Sequence, residues 1–176
     1  ILDIDSSETD TEFMIPEAKL LPPENKENIE WSPNKNDYLS VPVIRNGSTQ
    51  DYYILNLSDK SSASLGEFLG MEDIRDVRWD PEKENYLFFL SQNKLYRANI
   101  LDKNDISTIS DEASAFDLSK TDIYFCQKSN HITYKKPLSG NKEKEQVTFD
   151  FPKELDGQIK KMIVYDNERM AFWDEK

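Results

Sequence analysis

One phrase recurs along this chain: an aromatic, a small polar or acidic residue, a turn, then an apolar run. It stands at Trp31-Ser32-Pro33-Asn34 before Tyr38-Leu39, at Trp79-Asp80-Pro81-Glu82 before Tyr86-Leu87-Phe88, and at Phe116-Asp117-Leu118-Ser119 before Ile123-Tyr124-Phe125. A shortened fourth copy is Tyr165-Asp166-Asn167 before Met170-Ala171-Phe172-Trp173. A second marker follows each of the first three hairpins, with Tyr53 and Leu57, Tyr96 and Ile100, and Tyr134 and Leu138 always four apart. An even spacing puts both residues on one face of a strand. The aromatics are separated by 48, 37 and 49 residues. Periods near 40 residues, each holding several short strands, mark the blade of a β-propeller.

The second copy reads as a full blade: strand a about 74–79, strand b about 85–90, a turn at Ser91-Gln92-Asn93, strand c about 94–100 and strand d about 105–110. The first copy has a longer hairpin around Asn46-Gly47, a pair suited to the positive φ angles of a type I′ turn. Helix signals are confined to Ala63–Leu69 and Ser110–Ala113. The expected fold is therefore all-β, a partial propeller of about four four-stranded antiparallel blades. Its expected units are 1–22 as the end of a preceding blade, 23–70, 71–110 and 111–151 as blades, and 152–176 as the start of a further one. The chain opens without a methionine and stops after a strand b, which reads as a stretch of a longer propeller. Terminal strands completing one blade between them, giving a closed four-bladed ring, is the alternative.

Charge narrows the partners. With 34 acidic and 22 basic residues the chain carries −12, whereas phosphate recognition needs a basic footprint, so nucleic acid is not an expected partner. No apolar run reaches the 18 or so residues of a membrane span, which leaves membrane attachment to segments outside this chain. The single cysteine, Cys126, lies in Ile123-Tyr124-Phe125-Cys126 on a predicted central strand and reads as a small buried hydrophobe.

The residues that could carry chemistry are sparse. His131 is the only histidine, too few for a zinc site or a Ser-His-Asp triad, and reads as an exposed hairpin residue. Asp3-Ile4-Asp5-Ser6-Ser7-Glu8 starts like a calcium loop, then places Glu8 where glycine is needed and Met14 where a bidentate glutamate belongs. Nothing places Asp73 and Asp76 in a cleft as an acid–base pair, and five glycines form no phosphate loop. No catalytic, cofactor-binding or metal-binding residue is expected, and no cofactor. Trp31, Trp79, Phe116 and Tyr165, once per unit, read as core between blades. Ser32, Asp80, Asp117 and Asp166 are expected to close the a–b turns by accepting from nearby amides, with Pro33 and Pro81 pre-setting them.

Trp31-Ser32-Pro33-Asn34-Lys35-Asn36-Asp37-Tyr38-Leu39 resembles the W-S-P-D-G-K phrase of TolB-like propeller repeats. Trp79 to Phe89 is a looser match, and Tyr53-Ile54-Leu55-Asn56-Leu57 is similar to that family's strand c. Asn34 and Glu82 replace the usual Asp, and the usual Gly is absent. The Lys/Asn/Glu-rich texture resembles propeller regions that follow PEGA domains in bacterial envelope proteins. That resemblance implies a non-catalytic interaction or scaffold module at the extracytoplasmic face of a bacterial membrane. Loops such as 44–51 and 58–70 would bind a protein or a surface glycan. An alternative is a propeller gating a serine peptidase domain outside this chain, and a third is a ligand-sensing propeller.

Overall fold

The computed structural model describes residues 18–20, 29–33, 37–129, 132–139, 143–147, 159–165 and 169–174. The first sheet is built on a long hairpin. β1 (Ala18–Leu20) and β2 (Glu30–Trp31) both pair with β3 (Tyr38–Arg45), which pairs with β4 (Thr49–Asn56), and β4 with β5 (Ser61–Ser64). The β3–β4 turn places Asn46 at φ 50° and Gly47 at φ 83°, with the Ser48 N–H donating to the Arg45 carbonyl at 3.2 Å. Left-handed backbone of this kind favours Asn and Gly, as the dipeptide predicts.

This sheet corrects one boundary. Residues 1–22 were expected to belong to a preceding blade, yet Ala18–Leu20 pairs with Val43–Arg45 in the first sheet. The reason is length: β3 has eight residues, and β2 covers only Leu39 and Ser40. The far half of the β3 ladder therefore needs other partners for its amides and carbonyls, and β1 supplies them. The earlier part of that expectation, Ile1–Asp5 and Glu12–Ile15, lies outside the described residues.

Residues 58–70, named as a binding loop, hold β5 and then α1 (Leu65–Leu69), which falls within the helix signal at Ala63–Leu69. Ser64 caps α1, its Oγ accepting from Glu67 N at 3.0 Å, and Gly70 ends it at φ 67°. Asp51, buried on β4, fixes this corner. It accepts from Gly66 N at 2.9 Å, Ser64 Oγ at 2.6 Å and Arg45 Nη1 at 2.9 Å. A Cβ at Gly66 would lie 2.8 Å from the Met71 carbonyl oxygen and 3.0 Å from Asp51 Oδ1. Backbone cannot yield as a flexible side chain can, so Gly66→Ala should cost about 1–3 kcal/mol of stability by urea titration.

The second sheet runs in chain order through β6 (Ile74–Trp79), β7 (Tyr86–Ser91), β8 (Lys94–Asn99) and β9 (Asp102–Ser110). β9 starts earlier than predicted because Leu101 N donates to Asn99 Oδ1 at 2.9 Å, tightening the turn so that Asn99 already faces Asp102. No helix forms at Ser110–Ala113. Ser110 Oγ accepts from Glu112 N and donates to the Glu112 carbonyl, holding a bend. The third sheet orders β10 (Ala115–Leu118), β11 (Asp122–Cys126), β12 (Thr133–Pro137) and β13 (Glu145–Val147). The last is the pair β14 (Ile159–Val164) and β15 (Met170–Asp174).

Every pairing is antiparallel, and α1 is the one helix among the described residues. The chain is all-β, as expected. The sheets stack through their faces, and their innermost strands β2, β6, β10 and β14 touch in succession. In the first seam Tyr52 and Ile54 of sheet one pack with Val77, Trp79, Leu87 and Phe89 of sheet two. The second joins Phe88, Leu90 and Leu95 to Phe116, Ile123 and Phe125. In the third, Ala115, Tyr124 and Cys126 meet Ile159 and Met162. Period-2 alternation assigns one set of side chains to a forward face, toward the next sheet, and the other to a rear face. Radial stacking of such sheets is propeller architecture.

Candidate functional site

The inner strands end together, and the turns that follow them surround an open cleft of about 830 Å3. All four sheets contribute: Glu30 from the first, Arg78, Trp79 and Pro81 from the second, Asp117 to Thr121 from the third, and Ile163 to Tyr165 from the last. Across its floor runs a polar ladder. Arg78 Nη1 lies 2.9 Å from Glu30 Oε1, and Arg78 Nε lies 3.3 Å from Asp117 Oδ1. Asp117 Oδ2 accepts from the Val164 amide at 2.8 Å. Four successive sheets are thereby joined one to the next. Burial works to lower the Arg78 pKa, and the charges of Glu30, Asp117 and Asp76 outweigh it, so the guanidinium is held above its ordinary value.

Asp117 is a correction. It was expected to close its own a–b turn, yet it crosses two seams, because β10 continues two residues beyond Phe116 and moves the turn onward. Ser119 closes that turn, its Oγ accepting from Asp122 N at 3.0 Å and Thr121 N at 3.3 Å. The run Ser119-Lys120-Thr121-Asp122 carried that signal, a serine ahead of three polar residues. Ser32 and Asp80 do behave as predicted. Ser32 Oγ accepts from Tyr38 N at 3.2 Å, and Asp80 Oδ1 from Glu82 N at 2.9 Å and Lys83 N at 3.1 Å. Asp80 also takes both Nε and Nη2 of Arg97 on Oδ2, at 2.9 and 2.7 Å. Asp166 lies outside the described residues.

The four recurring aromatics divide. Trp79 and Phe116 are buried in the first and second seams, as expected. Trp31 is 40% exposed and Tyr165 65% exposed, against expectation. Trp31 and Leu39 pair as Trp79 and Leu87 do, so Trp31 points to the rear of the first sheet, away from the seams. Tyr165 falls one residue past β14, in the turn, and Met162 takes the buried place in its seam.

The other candidate chemical groups stay apart. Asp73 and Asp76 adopt φ 53° and 51° beside a bulge in β6, and neither lines the cleft. His131 and the Asp3–Glu8 stretch with Met14 lie outside the described residues. Among the described residues no group of three His, Cys, Asp or Glu could hold a metal ion. Cys126 is buried in the third seam, and that burial pushes its thiol pKa up. Alkylation of Cys126 by iodoacetamide, followed by intact mass, should therefore require unfolding.

No family model matches the chain, and no curated protein does. Solved structures do match. One is a chain of a complex described as S. cerevisiae Dbp5 variant bound to Nup159, a Gle1 variant, IP6 and ADP, with a TM-score of 0.52 at 12% identity. Another is the N-terminal domain of Nup159, with a TM-score of 0.50 at 14% identity. The matches cover 80% and 79% of this chain, but only 37% of either solved chain. At such identity the likeness concerns fold alone, and the fold is that of a β-propeller.

Proposed function

We propose that this chain is a non-catalytic propeller module that seats a segment of a partner protein in the cleft at the ends of its inner strands. One observation carries the reading: the cleft's half-buried charges are committed to joining sheets, while its walls present Pro81, Leu118, Ile163 and Tyr165, with Lys120 exposed beside them. A cleft with apolar walls beside fixed polar groups suits binding. One of the solved structures of similar fold holds Nup159 in a complex with other proteins, which supports a protein partner. The TolB-like phrases and PEGA-like texture support a bacterial envelope protein as the setting, tethered at the extracytoplasmic face by a segment outside this chain.

A benzophenone side chain at Tyr165, introduced into the natural polypeptide in its source cells, tests this. The expected result is a discrete protein adduct at Tyr165 and none at Leu101, a comparably exposed residue of the β8–β9 turn. Equal labelling at both positions, or a glycan adduct at Tyr165, would sink the reading.

A further inference from the structure

The tip of the β3–β4 hairpin is made of three exposed residues, Asn46, Gly47 and Ser48. Asn46-Gly47 is the one asparagine–glycine pair in the sequence. Among the described residues every other asparagine precedes a residue with a side chain: Leu57, Tyr86, Lys94, Ile100 or Asp105. Two of those asparagines are also tied down, Asn56 Oδ1 accepting from Ser58 N at 3.0 Å and Asn99 Oδ1 from Leu101 N at 2.9 Å. The Asn46 carboxamide and the Gly47 N–H, by contrast, have no hydrogen-bond partner among the described residues. No other part of the molecule lies within 4 Å of where a Cβ on Gly47 would sit. The turn itself is closed by the bond from Ser48 N to the Arg45 carbonyl at 3.2 Å, the long end of the ordinary range.

We infer that Asn46 is a self-modification site, which water converts to aspartate and isoaspartate through a cyclic imide. Solvent base takes the Gly47 N–H proton, and the nitrogen bonds to Cγ of Asn46. The Cγ–Nδ2 bond breaks and ammonia leaves. Water then adds to one of the two imide carbonyls, and the bond from that carbon to nitrogen breaks. Addition at Cγ leaves aspartate on an ordinary backbone. Addition at the main-chain carbonyl carbon leaves isoaspartate, with the chain running through the former side chain. Glycine permits the closure because it has no Cβ to crowd the attacking nitrogen and its φ is free to turn. The turn must open for the nitrogen to reach Cγ, and an exposed tip held by one long hydrogen bond opens at little cost. Either product sets a new carboxylate beside Arg45, whose guanidinium binds Asp51, Ser64 and Glu67. Isoaspartate also adds a backbone methylene to the turn that fixes the β3–β4 register. The modification thus acts on the end of the first sheet where Arg45 faces Thr49.

Ageing the natural polypeptide in mildly alkaline water enriched in heavy oxygen, followed by peptide mapping, tests this. Asn46 should convert several-fold faster than Asn56, Asn85, Asn93, Asn99 or Asn104, and its product should carry the heavy oxygen. An isoaspartyl methyltransferase should label part of that product, and the rate should rise with pH because the attacking nitrogen must lose its proton. Gly47→Ala should slow the conversion several-fold. Alanine at φ 83° strains the turn, so the ranking among the natural asparagines serves as the independent readout. In the aged protein, hydrogen exchange over residues 44–50 should quicken several-fold while residues 86–99 keep their rates. An intact Asn46 after another asparagine has converted would overturn the inference, as would conversion without heavy oxygen. So would unchanged exchange at the hairpin, or an oligosaccharide on Asn46 in the source protein, since Asn46-Gly47-Ser48 also has the form of a glycosylation acceptor.

Discussion

Trp79→Ala is expected to lower stability by about 3–5 kcal/mol, the range for deleting a large buried aromatic. Trp79 is 6% exposed, stacks on Tyr38 with ring centroids 6.2 Å apart, and donates its Nε1–H to the Glu30 carbonyl at 3.1 Å. Its loss would open the first seam and free the strand end that carries Glu30, so the polar ladder of the cleft would loosen as well. Trp79→Phe separates the two contributions. It retains most of the apolar contact and gives up the hydrogen bond, worth about 0.5–1.5 kcal/mol. Urea unfolding of the three proteins, with an unchanged slope, would check both figures. A loss below about 1 kcal/mol for the alanine variant would mean that the seam is not the core it is taken for.

Asp80→Ala is the second large effect, about 3–5 kcal/mol, because breaking a buried ion pair leaves an uncompensated charge. Asp80 is nearly inaccessible, and Arg97 loses both of its hydrogen bonds. The Glu82 and Lys83 amides lose their acceptor at the same time. Arg97 lies 4.1 Å from the Tyr86 ring centroid, a contact that holds the guanidinium near the vacated site. Combining Asp80→Ala with Arg97→Ala should therefore cost less than the sum of the single losses. Strict additivity in that cycle would refute the coupling.

The stacked all-β architecture was legible because its signals are local. The interval from each aromatic to the next apolar run sets a hairpin, Asn46-Gly47 sets a turn, and alternation within Tyr86–Ser91 feeds two seams at once. The polar ladder was illegible for the opposite reason. Asp117 finds Arg78 at a separation of 39 residues and Val164 at 47, and no local pattern encodes a contact that depends on how sheets stack. The same limit misplaced Trp31 and Tyr165: their resemblance to Trp79 is one of sequence, whereas burial depends on which neighbouring sheet is present. Ala18–Leu20 was missed because three residues carry too little pattern to choose between two blades.

The seams also differ from one another in material. The first sets Tyr52, Trp79 and Phe89 among isoleucine, leucine and valine, the second is rich in phenylalanine and leucine, and the third packs Tyr124 with Cys126, Ile159 and Met162. Identical repeats could stack in any order, and tandem arrays are prone to such misassembly during folding. Here each seam joins a different set of side chains, and in close-packed interiors a wrong neighbour would be expected to leave voids or clashes. The drift of the repeat away from a strict consensus thus acts as an address on each sheet, fixing the order in which the stack can close.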